Sequence, residues 1–213
     1  MRRRIKKLLY VSGFAILLLV TIGFVIFQKF KAEFDDQKII NEFHAQNIFP
    51  HSEMIPYKGN EIHTIYIGDL SKPKVLLIHG SPGYWFDFKY IFADKTLQKE
   101  YCIISYDRPG YGKTTVPVQK HLSNQAKVAA AVLNHYGKSN EKFIIVGHSY
   151  GGAVLEQTIL DFQTKISHAI YVAPCLSDGS MLAPPRNRIS IDTMGMLCSS
   201  TNHAVIPVSE VTF

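Results

Sequence analysis

The sequence predicts an α/β protein built on a doubly wound, mostly parallel sheet and preceded by one N-terminal transmembrane helix. Three observations carry this. Apolar runs of strand length alternate with helix-length segments between residues 61 and 174, three glycine-containing loops each follow such a run, and residues 8–27 contain no charge. Alternating strand and helix units build a parallel sheet covered on both faces, with ligands at the carboxyl ends of its strands. With 213 residues, 46% of them hydrophobic, the chain has the size and composition of one globular domain plus an anchor.

In chain order, residues 1–7 form a basic cytoplasmic tail and residues 8–27, "LLYVSGFAILLLVTIGFVIF", the anchor. Twenty residues at about 1.5 Å each span roughly 30 Å, the thickness of a bilayer core. Five cationic side chains precede the run, whereas Lys29 and Lys31 beyond it are soon opposed by Glu33, Asp35 and Asp36. Positive-inside bias then keeps the N-terminus cytoplasmic and puts the domain on the extracytoplasmic side. The rival, a cleaved signal peptide, fits less well, because the apolar run is long and bulky Phe27, Gln28, Lys29 and Phe30 stand where small residues are needed.

Residues 28–60 read as a linker or stalk and residues 61–176 as the folded core. "EIHTIYIGD" alternates like a half-buried strand, and "KVLLIHG" is continuously apolar like a buried one. A helix near residues 88–98, the strand "YCIISYD", the helix "SNQAKVAAAVLNHY" ended by Gly137, the strand "KFIIVG", a helix after Ser149 and the strand "HAIYVAP" follow. Residues 177–213 form a divergent or truncated tail with little helical periodicity. Its one strand-like run is "AVIPV".

Composition excludes some functions. Seven of the 23 positive side chains flank the anchor, leaving 16 against 17 acidic residues in the body, so the +6 charge describes the membrane end and not a nucleic-acid surface. Cys102, Cys175 and Cys198 form no metal or redox pair, although one bridge between Cys175 and Cys198 stays open. "DRPGYGKTT" ends like a phosphate-binding loop, but Asp107 stands where that motif needs glycine and Pro109 removes an amide.

The chemistry concentrates in three loops. Gly147-His148-Ser149-Tyr150-Gly151 fits G-x-S-x-G between a strand and a helix, the turn that raises a serine hydroxyl above a sheet. Side chains at Gly147 and Gly151 would collide with backbone there, and the helix N-terminus favours developing negative charge. "HGSPG", residues 79–83, can bring the Ser81 amide toward Ser149, while Pro82 has no N–H to offer. The amides of Ser81 and Tyr150 are thus the candidate oxyanion hole. Tyr84, Trp85, Phe86 and Tyr150 either line a pocket or belong to the core.

"HGSPG", "DRPGYGKT" and "GHSYGG", in this order and on successive strands, resemble the α/β-hydrolase fold family in its lipase, esterase and proline-iminopeptidase-like branch. The resemblance covers residues 61–174. It implies acyl transfer to water from a small ester or amide, with Ser149 as nucleophile, Ser81 and Tyr150 as oxyanion-hole amides, Asp107 and Arg108 in a mainly structural loop, and no cofactor. A serine at the elbow departs from the haloalkane dehalogenase and epoxide hydrolase branches, which use aspartate there.

In the family the acid and histidine follow the nucleophile, usually after a cap and two further strands. Only about 40 residues follow "HAIYVAP" here, fewer than two strand-helix units need. The candidates in this stretch are His203 as base and Asp178 as acid, with Asp192 as an alternative acid. His79 and His148 belong to the loop motifs and are read as orienting them. Two readings result: a membrane-anchored serine hydrolase with a divergent or externally completed triad, or a truncated, catalytically incomplete remnant or non-enzymatic binding scaffold.

Overall fold

The computed structural model describes residues 12–25 and 36–175, together with the backbone of residues 203–207. The chain divides into two units, Met1–Glu42 and Phe43–Phe213. In the first, helix α1 occupies residues 12–25 and carries exposed Phe14, Ile16, Leu17, Leu19 and Phe24. Among the described residues no helix is long and apolar enough to cross a membrane. The ends of the expected 8–27 span, like the basic residues 1–7, lie outside the described residues. Helix α2 follows at Asp36–Ala45.

The second unit is organised around a seven-stranded sheet of order β1-β2-β4-β3-β5-β6-β7. Its strands are β1 (His51–Tyr57), β2 (Asn60–Ile67), β3 (Lys74–Ile78), β4 (Cys102–Tyr106), β5 (Phe143–His148), β6 (Ile166–Val172) and β7 (His203–Pro207). The pairs β3-β4, β3-β5 and β5-β6 are parallel; β1-β2, β2-β4 and β6-β7 are antiparallel. The sheet is therefore mixed, not mostly parallel. The physical reason lies at its margins, where a hairpin supplies one side and β7 doubles back along β6.

That hairpin also moves the start of the sheet. Residues 51–57 fall in the segment expected as linker, yet they pair with β2 throughout, because Lys58 and Gly59 both take positive φ (47° and 75°) and close a two-residue turn. Pro56 sits at an edge strand, the place where a missing N–H costs least.

Helices α5 (Leu122–Tyr136) and α6 (Tyr150–Phe162) bury Val128, Val132, Leu133, Val154, Leu155 and Ile159 in one cluster with Leu76, Ile78, Ile104, Phe143 and Ile145. Leu77 and Ile103, of opposite parity and equally buried, must face the other side of the sheet. That side carries a 3-10 turn (Trp85–Phe88), α3 (Lys89–Ala93) and α4 (Lys95–Glu100). The single helix expected over residues 88–98 is broken at Asp94, whose carboxylate accepts from the amides of Thr96 (2.8 Å) and Leu97 (3.1 Å) and so starts α4 afresh.

Candidate active site

The three motif loops leave the carboxyl ends of β3, β4 and β5, which are neighbours in the sheet, and so meet at one end of it. At the β5-α6 junction Ser149 takes φ 51° and ψ −121°, a conformation that costs a residue with a side chain about 1–3 kcal/mol. Close packing holds it there. A Cβ on Gly147 would lie 2.6 Å from Gly151 O, and one on Gly151 would run into Ile78 O and stand 2.7 Å from His79 O. All three are backbone atoms, of the first turn of α6 and of the end of β3, and cannot yield as a side chain would.

The Ser149 amide donates to Val172 O (3.0 Å), and Ser149 O accepts from the Cys175 amide (2.9 Å), so the end of β6 and the loop after it brace the turn. Tyr150 is the first residue of α6 and has no carbonyl within the helix for its N–H. The HGSPG loop comes alongside: a Cβ on Gly80 would sit 3.1 Å from Ser149 Cβ. Ser81, the next residue, donates to or accepts from Tyr111 Oη through its hydroxyl at 2.5 Å.

Arg108 fixes this loop from behind. Its guanidinium, fully buried, donates from Nε to His79 O (2.9 Å), from Nη2 to Gly80 O (2.6 Å) and from Nη1 to Gln125 Oε1 (2.7 Å). The ring centroids of Tyr111 and Tyr150 lie 4.7 and 4.9 Å from it. The carbonyl of Gly80 also meets His79 Nδ1 at 2.9 Å. In a trans peptide the N–H points opposite to the C=O, so these two donors both aim the Ser81 amide and polarise it. In the loop that the resemblance makes mainly structural, Arg108 thus holds the carbonyls of the HGSPG loop.

His79 is in its neutral form. Burial pulls it down to about 3, with the Arg108 cation adding to the effect, and its Nε2 accepts from the Arg108 amide at 2.9 Å. It orients the loop, as expected from sequence. Asp107 is buried as well; burial pushes its carboxyl up, but the His63 side chain and the amides of Lys113 and Trp85 outweigh this and hold it below the ordinary range.

Among the described residues no side chain hydrogen-bonds Ser149 Oγ. Asp178 and Asp192 lie outside the described residues. His203 opens β7 at a telling register position: it pairs with Val172, which pairs with His148, so its backbone stands two strands from the elbow on the same rung. Two strand spacings are about 10 Å. Of the aromatic candidates, Trp85 and Phe86 are core, with Trp85 packed on Phe43 and Phe92. Tyr150 lines a cavity of about 180 Å³ with Leu122, Ala153, Leu160, Cys175 and Glu156. Burial pushes the Glu156 carboxyl up. The cavity's wall is one face of α6, closed by Leu122 of α5 and by Cys175 beyond β6. Among the aromatic candidates Tyr150 lines it; the other contributors lie outside the motif loops and carry no signal of their own in the sequence.

The alpha/beta hydrolase family profile matches residues 75–199, more than half of the chain. The chain belongs to the alpha/beta hydrolase family. It is similar to a proline iminopeptidase of Levilactobacillus brevis, 26% identical over 164 residues, which covers 75% of this chain and 53% of that protein. It is also similar to human epoxide hydrolase 4, 29% identical over 99 residues, covering 45% of this chain and 26% of that protein. Its fold resembles the crystal structure of a membrane phospholipase A described as a bacterial virulence factor, at a TM-score of 0.53 and 19% identity over 78% of this chain and 50% of that one. The chain thus spans from about a quarter to about half of the length of these curated relatives.

Proposed function

We propose that this chain is a serine hydrolase that cleaves a small ester or amide through an acyl-enzyme, held at a membrane by its N-terminal helix. The observation that carries the reading is Ser149 itself, locked at positive φ between two glycines that admit no Cβ, at the N-terminus of α6 and beside the Gly80 backbone. In this mechanism Ser149 Oγ attacks the carbonyl carbon, and the oxyanion receives the amides of Ser81 and Tyr150. A base takes the serine proton and returns it to the leaving alcohol or amine; water then repeats the sequence on the acyl group. His203 is the proposed base, supported by its rung, and Asp178 the proposed acid.

The cavity beside Tyr150 suits a short apolar acyl group, being well below the size of most ligand pockets. The serine favours acyl chemistry over the reaction that names the epoxide hydrolase relative. The anchor is supported by the uncharged residues 8–27 and by the exposed apolar side chains of α1. It puts the N-terminus in the cytoplasm and the domain outside it.

One observation favours a second reading, a catalytically incomplete scaffold: among the described residues, Ser149 Oγ has no hydrogen-bond partner. Reaction of the purified full chain with a fluorophosphonate, followed by peptide mapping, separates the two. The hydrolase reading expects rapid modification of Ser149 that Ser149→Ala removes. A folded chain whose Ser149 stays unmodified would leave only the scaffold.

A further inference from the structure

A second serine in this protein stands in a geometry that no described residue gives the elbow. On the hairpin, Ser52 Oγ lies 3.0 Å from His63 Nε2, and His63 Nδ1 lies 2.7 Å from Asp107 Oδ2. The order is nucleophile, base, carboxylate, with the burial each role asks for: Ser52 is exposed, while His63 and Asp107 are each only 1% exposed. A triad is recognised by such roles and not by position in the chain.

The proton positions follow from the partners. The ionised Asp107 carboxylate can only accept, and besides His63 it takes the amides of Trp85 (3.1 Å) and Lys113 (3.0 Å). His63 Nδ1 therefore carries the hydrogen, and in the neutral imidazole Nε2 is left to accept from the Ser52 hydroxyl. The base is rigidly held. Its backbone N–H donates to Thr114 Oγ1 (3.0 Å), its carbonyl accepts from the Asp107 amide (3.0 Å), and Thr114 Oγ1 donates to Asp107 O (2.6 Å).

Register supplies one oxyanion donor. A two-residue hairpin closes on a hydrogen-bonded pair, here Tyr57 and Asn60, after which bonded and non-bonded pairs alternate. Counting back, Pro56, Met54 and Ser52 fall on non-bonded pairs, which agrees with the missing N–H of Pro56 and with the amides of Glu61 and His63 turning to Thr115 and Thr114. The Ser52 amide thus points away from β2, at the open edge of the sheet, next to its own hydroxyl.

We propose that Ser52, His63 and Asp107 form a second activated-serine site, which takes an acyl or phosphonyl group from small activated esters such as aryl esters and fluorophosphonates. In the acyl case Ser52 Oγ forms the bond to the carbonyl carbon, its proton passes to His63 Nε2, and the aryl–oxygen leaving group departs with that proton as the phenol. A fluorophosphonate loses fluoride in the same way, as hydrogen fluoride. General-base assistance is worth about 10²–10⁴ in rate, while a site with the single donor argued above forgoes about 10²–10³. Ser52 is accordingly a site of acylation more than of fast turnover.

The test uses the full chain carrying Ser149→Ala, a fluorophosphonate and peptide mapping, with exposed Ser139 as the internal reference. Ser52 should be phosphonylated at least about 10²-fold faster than Ser139. His63→Gln, with folding checked by thermal melt, should bring it down to the Ser139 rate, and Ser52→Ala, at an exposed position, should abolish the label without unfolding the chain. Modification of Ser52 no faster than of Ser139 in folded Ser149→Ala protein overturns the proposal. Because each serine is mapped separately, that result leaves the reading of Ser149 untouched.

Discussion

Replacing Arg108 by lysine is the sharpest test of how the HGSPG loop is held. The guanidinium makes three side-chain hydrogen bonds, to His79 O, Gly80 O and Gln125 Oε1, and lies against the rings of Tyr111 and Tyr150. A hydrogen bond from a charged donor contributes about 1.5–3 kcal/mol. An ammonium is a point donor without the planar fork, so lysine keeps about one of the three. Losing two costs about 3–6 kcal/mol.

Urea unfolding of the full chain reads this directly. With a slope of about 2 kcal/mol/M, the midpoint should fall by about 1.5–3 M. Gln125→Ala, which deletes one partner, should cost about a third to a half as much. A midpoint shift below about 0.5 M for Arg108→Lys would refute the reasoning, because the loop carbonyls would then be satisfied without the fork. Labelling of Ser149 in the same variant should slow, since the Ser81 amide loses the donor that aims it.

Two further outcomes are expected. The folded His79 imidazole resists protonation until about 3, whereas an unfolded one takes a proton near 6.5, so the unfolded state binds more protons across that window and stability falls as pH falls through it. At most about 4–5 kcal/mol is at stake, and the slope between pH 6.5 and 4 should flatten in His79→Gln; equal slopes in urea melts of the two proteins would contradict the buried neutral form. Deleting residues 1–27 should release the protein from membranes that hold the full chain through alkaline carbonate washing, and persistent association of the shortened chain would count against the anchor.

What the sequence revealed and what it hid divide along sequence separation. The elbow was legible because its determinants, an apolar run, two glycines and a helix start, lie within a dozen residues. Strands β2 to β6 were legible for the same reason. Strand β1 was not: "HSEMIPY" buries only Ile55 and contains a proline, the mark of an edge strand, whose evidence is its partner and not its own pattern. The contact of His63 with Asp107 joins residues 44 apart and exists only because β2 and β4 pair in one particular register. Arg108 meets Gln125 from the helix that follows and His79 from the strand beside it. No local pattern announces such contacts.

The elbow's geometry and its base are separable problems. Gly151 packs onto Ile78 O and His79 O at the end of β3, and the Ser149 amide is taken by Val172 O at the end of β6, so the strained turn is determined by β3, β5 and β6. Its cost of about 1–3 kcal/mol is met by these strand ends whatever β7 contributes. Proton acceptance, by contrast, belongs in the proposed mechanism to His203, which pairs with Val172 at the end of β6. A preset oxyanion site without a base still binds a preformed tetrahedral anion such as a phosphonate, but it does not accelerate attack by the serine. Binding of such an analogue and the rate of phosphonylation should therefore respond to different residues: the first to Arg108 and the HGSPG loop, the second also to His203.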